Sequence, residues 1–149
     1  MPSQKAIDLA RFLPYRLSVL SNTISQAIAS DYEARFGLSI TQWRVMAVLG
    51  QKENLAARDV AIRTAMDKVA VSRAVAGLIE KGHLERTISE VDKRESCLRL
   101  SDQGREIHDQ IVPLAYEHER RVLQRLSSEE REWLMRILDA LHPSQDSPE

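Results

Sequence analysis

Only one cysteine, Cys97, occurs in the 149 residues, which excludes an intramolecular disulfide framework and suits a reducing cytoplasm. A crosslink to a partner chain through that thiol stays open. Apolar runs are only a few residues long, so no transmembrane helix is expected, and the first ten residues have no signal-peptide h-region. The expectation is a cytoplasmic protein with no membrane partner. Catalytic signatures are also missing: there is no Gly-rich phosphate loop, no H-E-x-x-H, no G-x-S-x-G and no cysteine placed with a histidine. The histidines, His83, His108, His118 and His142, show no short ligand spacing, so neither metal nor other cofactor is expected, and no enzyme. Low-complexity tracts and internal repeats are absent. A chain of this length can bury roughly 70% of its unfolded surface in one unit without metal or disulfide.

Net charge is close to zero, with 21 Lys and Arg against 22 Asp and Glu, but the sum hides a gradient. Residues 1–57 hold 6 basic and 4 acidic side chains, residues 58–105 hold 10 and 8, and residues 106–149 hold 5 and 10. The acidic charge is gathered at the C-terminal end, which directs the search for a basic face to the middle of the chain.

Leu13, Leu17, Leu20, Ile24, Ile28 and Tyr32 recur at helical spacing and predict one long helix, with Pro14 in its first turn or at a bend after a short leading segment, and Gly37 as its left-handed cap. Thr41 is placed to cap a second helix carrying Trp43, Val45, Met46, Val48 and Leu49, closed by Gly50. Two short helical patterns follow, Ala57–Thr64 with Val60 and Ala61 inward, and Lys68–Lys81 with Val71, Val75, Leu78 and Ile79 inward. Only Ala65, Met66 and Asp67 separate them; Asp67 caps the second, and Gly82 stops it. The period then changes to two: Leu84, Arg86 and Ile88, and later Ser96, Leu98 and Leu100, alternate around a charged stretch, 89–95, as a β-hairpin does. Ser101 or Asp102 opens another helix, bent near Pro113, and Ser127 with Glu130 forms a capping box before Trp133, Leu134, Ile137, Leu138 and Leu141.

Two helices joined by a three-residue turn and followed at once by a charged hairpin form a winged helix-turn-helix. With its apolar residues inward, the second helix shows Lys68, Val69, Ser72, Arg73, Ala76 and Gly77 on the opposite face. That face is slim, basic and hydroxylated, as a groove-entering helix must be. Arg73 can pair with a guanine edge or a phosphate, Ser72 with a base or the backbone, and Val69 can meet a thymine methyl. In the hairpin, Asp92 stands two residues from Arg94, so the carboxylate can orient the guanidinium toward a narrow minor groove. The competing reading takes Lys68, Arg73 and the Asp92/Arg94 pair as ordinary solvated charges.

The run 78–86 (Leu-Ile-Glu-Lys-Gly-His-Leu-Glu-Arg), the triplet Asp92, Lys93, Arg94 and the run 98–104 (Leu-Arg-Leu-Ser-Asp-Gln-Gly) resemble the MarR-type transcriptional regulators: the end of the recognition helix, the Asp-x-Arg wing signature, and a strand leading into a Ser-x-x-Gly helix start. Val71-Ser72-Arg73 matches the hydroxyl-Arg pair of that family's recognition helix, whereas Gly77 stands where many members carry a basic side chain. The resemblance spans residues 13–141. It implies a mainly α (α+β) fold in a single domain, with dimerisation helices at 13–36 and 105–141 and a winged helix-turn-helix lobe at 41–100. It also implies DNA contacts by Lys68, Ser72, Arg73, Asp92 and Arg94; Val69, Arg86 and Lys93 complete the candidate set.

The partners expected are therefore double-stranded DNA, as a palindromic operator, and a second copy of the chain. A homodimer is also suggested by apolar stripe in excess of what a small winged lobe covers, early at Phe12, Leu13 and Leu17 and late in the last helix. Twofold symmetry would set the two recognition helices about 34 Å apart. Many relatives are repressors released by a small aromatic or phenolic acid, for which Arg16 offers a charge and Trp43 a stacking surface; both equally suit structural roles. Cys97 lies in the second wing strand, away from the N-terminal position of the family's redox-sensing thiols. The alternative functions are a winged module that docks a protein, or a DNA-binding regulator that takes no ligand.

Overall fold

The computed structural model describes residues 6–88 and 96–143. Its elements are a short 3-10 turn (Leu9–Arg11), α1 (Leu13–Phe36), α2 (Ile40–Gln51), α3 (Ala57–Thr64), α4 (Lys68–Glu80), β1 (Leu84–Ile88), β2 (Ser96–Leu100), α5 (Asp102–Leu123) and α6 (Ser128–Leu141). The fold is mainly helical, with one small antiparallel sheet, as the sequence predicts. The chain divides into two compact units, Met1–Pro113 and Leu114–Glu149. No helix among the described residues is long and apolar enough to cross a membrane.

Pro14 occupies the first turn of α1, where its missing N–H costs nothing, and the leading segment is the 3-10 turn. Gly37 caps α1 at φ +65°, the left-handed conformation that glycine adopts without a Cβ penalty. The apolar stripe of α1 is graded: Leu13, Leu17 and Leu20 are exposed, Ile24 and Ile28 half-buried, and Tyr32 buried.

Two expectations about α2 fail. The helix starts one residue before Thr41, because Ser39 rather than Thr41 is the cap: Ser39 Oγ accepts from Gln42 N (3.1 Å) and Gln42 Oε1 accepts from Ser39 N (3.1 Å). This is a full capping box. Gly50 does not close the helix, which continues to Gln51. Glycine is required there because a Cβ would overlap the His108 ring on α5.

The helix-turn-helix matches its sequence pattern closely. Ala65 takes a left-handed conformation (φ +53°) to end α3, and Asp67 Oδ2 accepts from Ala70 N (3.3 Å) to start α4. Val71, Val75 and Leu78 are almost fully buried, joined by Ala74, while Ile79 is only half-buried. Burial of each such Val or Leu contributes about 1.5–3 kcal/mol, enough to hold a short helix against α2 and α3.

β1 and β2 pair in the register Leu84↔Leu100 to Ile88↔Ser96. β2 is the inner strand, because Leu55 bridges to Leu98 on its other side. Strict alternation therefore fails: Cys97, Leu98 and Leu100 are all buried, and Ile88, aligned by its period with Leu84, is 72% exposed at the far end of β1. Buried Cys97 behaves as a small apolar residue.

In the C-terminal unit, Ser127 and Glu130 make the predicted capping box, Ser127 Oγ accepting from Glu130 N at 3.1 Å and Glu130 Oε1 from Ser127 N at 2.9 Å. These bonds hold the Glu130 carboxyl below its ordinary pKa. Pro113 lies inside α5, and the boundary between the units falls directly after it.

Candidate nucleic-acid interface

The exposed face of α4 is assembled by subtraction. Once Val71, Ala74, Val75 and Leu78 turn inward, Lys68, Val69, Ser72, Arg73 and Ala76 are left in solvent. Val69, a β-branched side chain, is 55% exposed. Neither Lys68 nor Arg73 makes an ion pair or side-chain hydrogen bond among the described residues, although Asp67 adjoins Lys68: its carboxylate is used on the helix N-terminus. Two uncommitted cations, a hydroxyl and an apolar tip thus project from the first two turns. A helix of this diameter fits the major groove, and these groups match phosphates, base acceptors and a thymine methyl.

Arg73 also borders a shallow cleft of about 320 Å³ between α4 and the start of α2, lined with Ser39, Thr41, Gln42, Ala70 and Ala74. The sequence signal for this second wall is the Ser-x-x-Gln spacing of Ser39 and Gln42, which form the capping box of α2. Gly77, where many relatives carry a basic side chain, is half-buried rather than on the groove face: a Cβ there would stand 2.7 Å from Gln42 Nε2.

The base of the hairpin is held rigidly. Arg86 is exposed on β1 and donates to Ser96 Oγ (3.2 Å) across the pair, and Arg99 pairs with Glu85 (3.0 Å). Below them, Ser101 Oγ donates to Gly82 O (2.6 Å) and accepts from Gly104 N (3.0 Å), while Ser101 N donates to His83 O (3.0 Å). A Cβ at Gly104 would overlap the His83 carbonyl oxygen. The Ser-x-x-Gly motif is therefore the contact by which α5 starts flush against the turn between α4 and β1. His83 itself is buried, with Nδ1 unpartnered. Burial, and then the nearby Lys81 ammonium, push its pKa below the ordinary value. Asp92, Lys93 and Arg94 lie outside the described residues.

Residues 36–95 match the family model described as the MarR family. Among curated proteins, the HTH-type transcriptional regulator YdgJ of Bacillus subtilis (strain 168) is 27% identical over 140 residues, covering 93% of this chain and 85% of that protein. Among solved structures, a MarR/EmrR family transcriptional regulator from Acinetobacter sp. ADP1 superposes with a TM-score of 0.83 at 27% identity, over 91% of this chain and 95% of the other. These likenesses support a MarR-family winged helix-turn-helix transcriptional regulator, a DNA-binding protein. Streptococcus pneumoniae FabT, solved in complex with DNA, shares the fold at 23% identity and a TM-score of 0.71, over 87% of this chain and 92% of that one.

Within a single chain, Arg16 and Trp43 do not meet. Trp43 is half-buried, its ring edge-on to Tyr32 (5.8 Å, 69°) and 5.7 Å from His108. Burial, and secondly Asp31, raise the Tyr32 pKa, so the phenol stays neutral within this stack. Arg16 is exposed near the opposite end of α1, about 24 Å from Tyr32 along the helix axis, far beyond the reach of its side chain.

Proposed function

We propose that this chain acts as a homodimeric repressor that reads a palindromic operator through α4, with Lys68, Val69, Ser72 and Arg73 in the major groove. The single observation that carries the reading is the uncommitted face of the first two turns of α4, whose cations have no partner among the described residues. FabT, of the same fold, is solved in complex with DNA, which supports DNA as the partner. Arg86, Asp92, Lys93 and Arg94 are assigned to the wing, with Arg94 reaching the minor groove beside the α4 site.

Dimerisation through residues 13–36 and 105–141, flanking a DNA-binding lobe at 41–100, is supported by the apolar side chains that the single chain leaves in solvent. Phe12, Leu13 and Leu17 in one unit, and Trp133, Ile137, Leu138 and Leu141 in the other, are all more than two-fifths exposed. A surface of this kind marks an interface in a well-behaved protein.

Selection from a random duplex pool tests the proposal. Enriched sites should be twofold symmetric, with half-site centres about one helical turn apart. Failure to enrich, or enrichment of unpaired asymmetric sites, would contradict it. Release by a small aromatic acid is a further part of the proposal and rests on family resemblance. Thermal-shift screening against aromatic carboxylic acids and their thioesters tests it, a ligand that raises the midpoint while lowering operator affinity being the expected result.

A further inference from the structure

The C-terminal end of α4 is tied to the junction of α1 and α2 by side chains that the DNA contacts do not use. Lys81, the C-cap residue of α4, sends its ammonium away from its own helix to Gly37 O, the carbonyl at the left-handed cap of α1, and to Gln42 Oε1 on α2 (3.3 Å). Gln42 Oε1 also accepts from Ser39 N (3.1 Å), so both of its lone pairs are used. Gly77, on the last full turn of α4, leaves room for the Gln42 amide: with a Cβ only 2.7 Å from Nε2, that amide would have to move. Leu38, between Gly37 and Ser39, is fully buried. The ends of three helices therefore meet in one knot.

We propose that Lys81 and Gln42 are positioning residues that set the angle of α4 relative to α1, and through it the half-site spacing the protein accepts. This rests on the twofold reading above, in which α1 belongs to the dimer interface and α4 to the DNA. The lever argument is direct. α4 is 13 residues long. Its reading face lies at the end opposite the knot, so a swing of about 5° about Lys81 displaces Lys68 by roughly 1.7 Å over a helix of about 20 Å. Displacement of that size breaks hydrogen bonds to base edges. An isolated surface lysine would have no such consequence; Lys81 has it because its acceptors lie on two other helices.

The test uses the duplex that the wild-type protein itself selects, with the half-site spacing then changed by one base pair in either direction, which rotates one half-site by about 35°. The readout is the ratio of Kd values at altered and selected spacing, in which the loss of a charge cancels. Wild type should discriminate by about tenfold or more, the size of a single mismatch. Lys81→Met should reduce that ratio at least threefold, and Lys81→Arg, which keeps the donor, should hold it within twofold of wild type. Gly77→Ala should reduce the ratio as well, since its Cβ displaces the Gln42 amide while the better helix propensity of Ala offsets part of the stability lost, and it decides the matter should Lys81→Met fail to fold. A wild-type ratio retained by Lys81→Met, or by Gly77→Ala in its place, overturns the positioning role alone. Absence of spacing discrimination in wild type overturns the twofold reading and the latch with it.

Discussion

Arg73 and Lys68 lie five residues apart in α4, about 140° apart around the helix at the two edges of its exposed face, and they are expected to contribute differently to DNA binding. Arg73→Ala should cost about 1–3 kcal/mol on the selected site and blur discrimination between operators, as loss of a bidentate base contact does. Lys68→Ala should weaken all duplexes alike and lower the salt slope by about 2, one phosphate contact from each subunit. Competition binding with selected and random DNA separates the two, and equal losses on both duplexes for Arg73→Ala would reduce it to a phosphate contact. His83 carries a different expectation. Its folded pKa lies below the unfolded value near 6.5, so the unfolded chain binds more protons in the window just below that value. Its contribution is then fully present above about pH 7 and is lost progressively as the pH falls through 6.5 toward the lowered folded value. His83→Phe should flatten this decline in denaturant unfolding measured at about pH 7 and about pH 5; an unchanged slope would place the protonation elsewhere.

At the scale of elements, close approaches decide more than propensity does. Gly50→Ala should destabilise the fold by about 1–3 kcal/mol, because the added methyl meets the His108 ring that packs on Trp43. His108→Ala in the same chain should return much of that loss, and additivity of the two changes would show that the contact is not the cause. Much of this architecture was legible in the sequence. Periodicity located α1, α3, α4 and α6, and the turn residues Asp67, Gly82 and Ser127 marked their ends, because caps are local chemistry. Gly50 was misread as a terminator, since glycine looks the same in sequence whether it ends a helix or admits a neighbour from far along the chain. Ser39 rather than Thr41 caps α2 for a related reason: two hydroxyls stand near the same boundary, and only the reciprocal bond to Gln42 distinguishes them. The burial of Cys97 depends on Leu55 pairing with Leu98, a contact across more than forty residues that strand alternation does not encode. In the site, the α4 face could be read by elimination, whereas the Gln42–Lys81 connection joins residues 39 apart and carries no periodic signal.

For the molecule as a whole, the exposed apolar residues and the charge gradient point the same way. Acidic side chains gather beyond residue 105, and the same stretch carries the exposed Trp133, Ile137, Leu138 and Leu141 of α6. Removal of the chain from Ser127 onward deletes Trp133, Ile137, Leu138 and Leu141 and should convert the dimer to monomer in sedimentation, whereas a truncated protein that still sediments as a dimer would place the interface elsewhere. The account as a whole depends on the first two turns of α4 meeting phosphates and bases, and the salt dependence of duplex affinity tests that most directly. With 6 to 10 phosphate contacts per dimer, affinity should fall by roughly 10³ to 10⁵ between about 50 and 200 mM salt, with a shallower slope for Lys68→Ala. Affinity that is flat with salt, or a Lys68→Ala slope equal to that of wild type, would contradict the account.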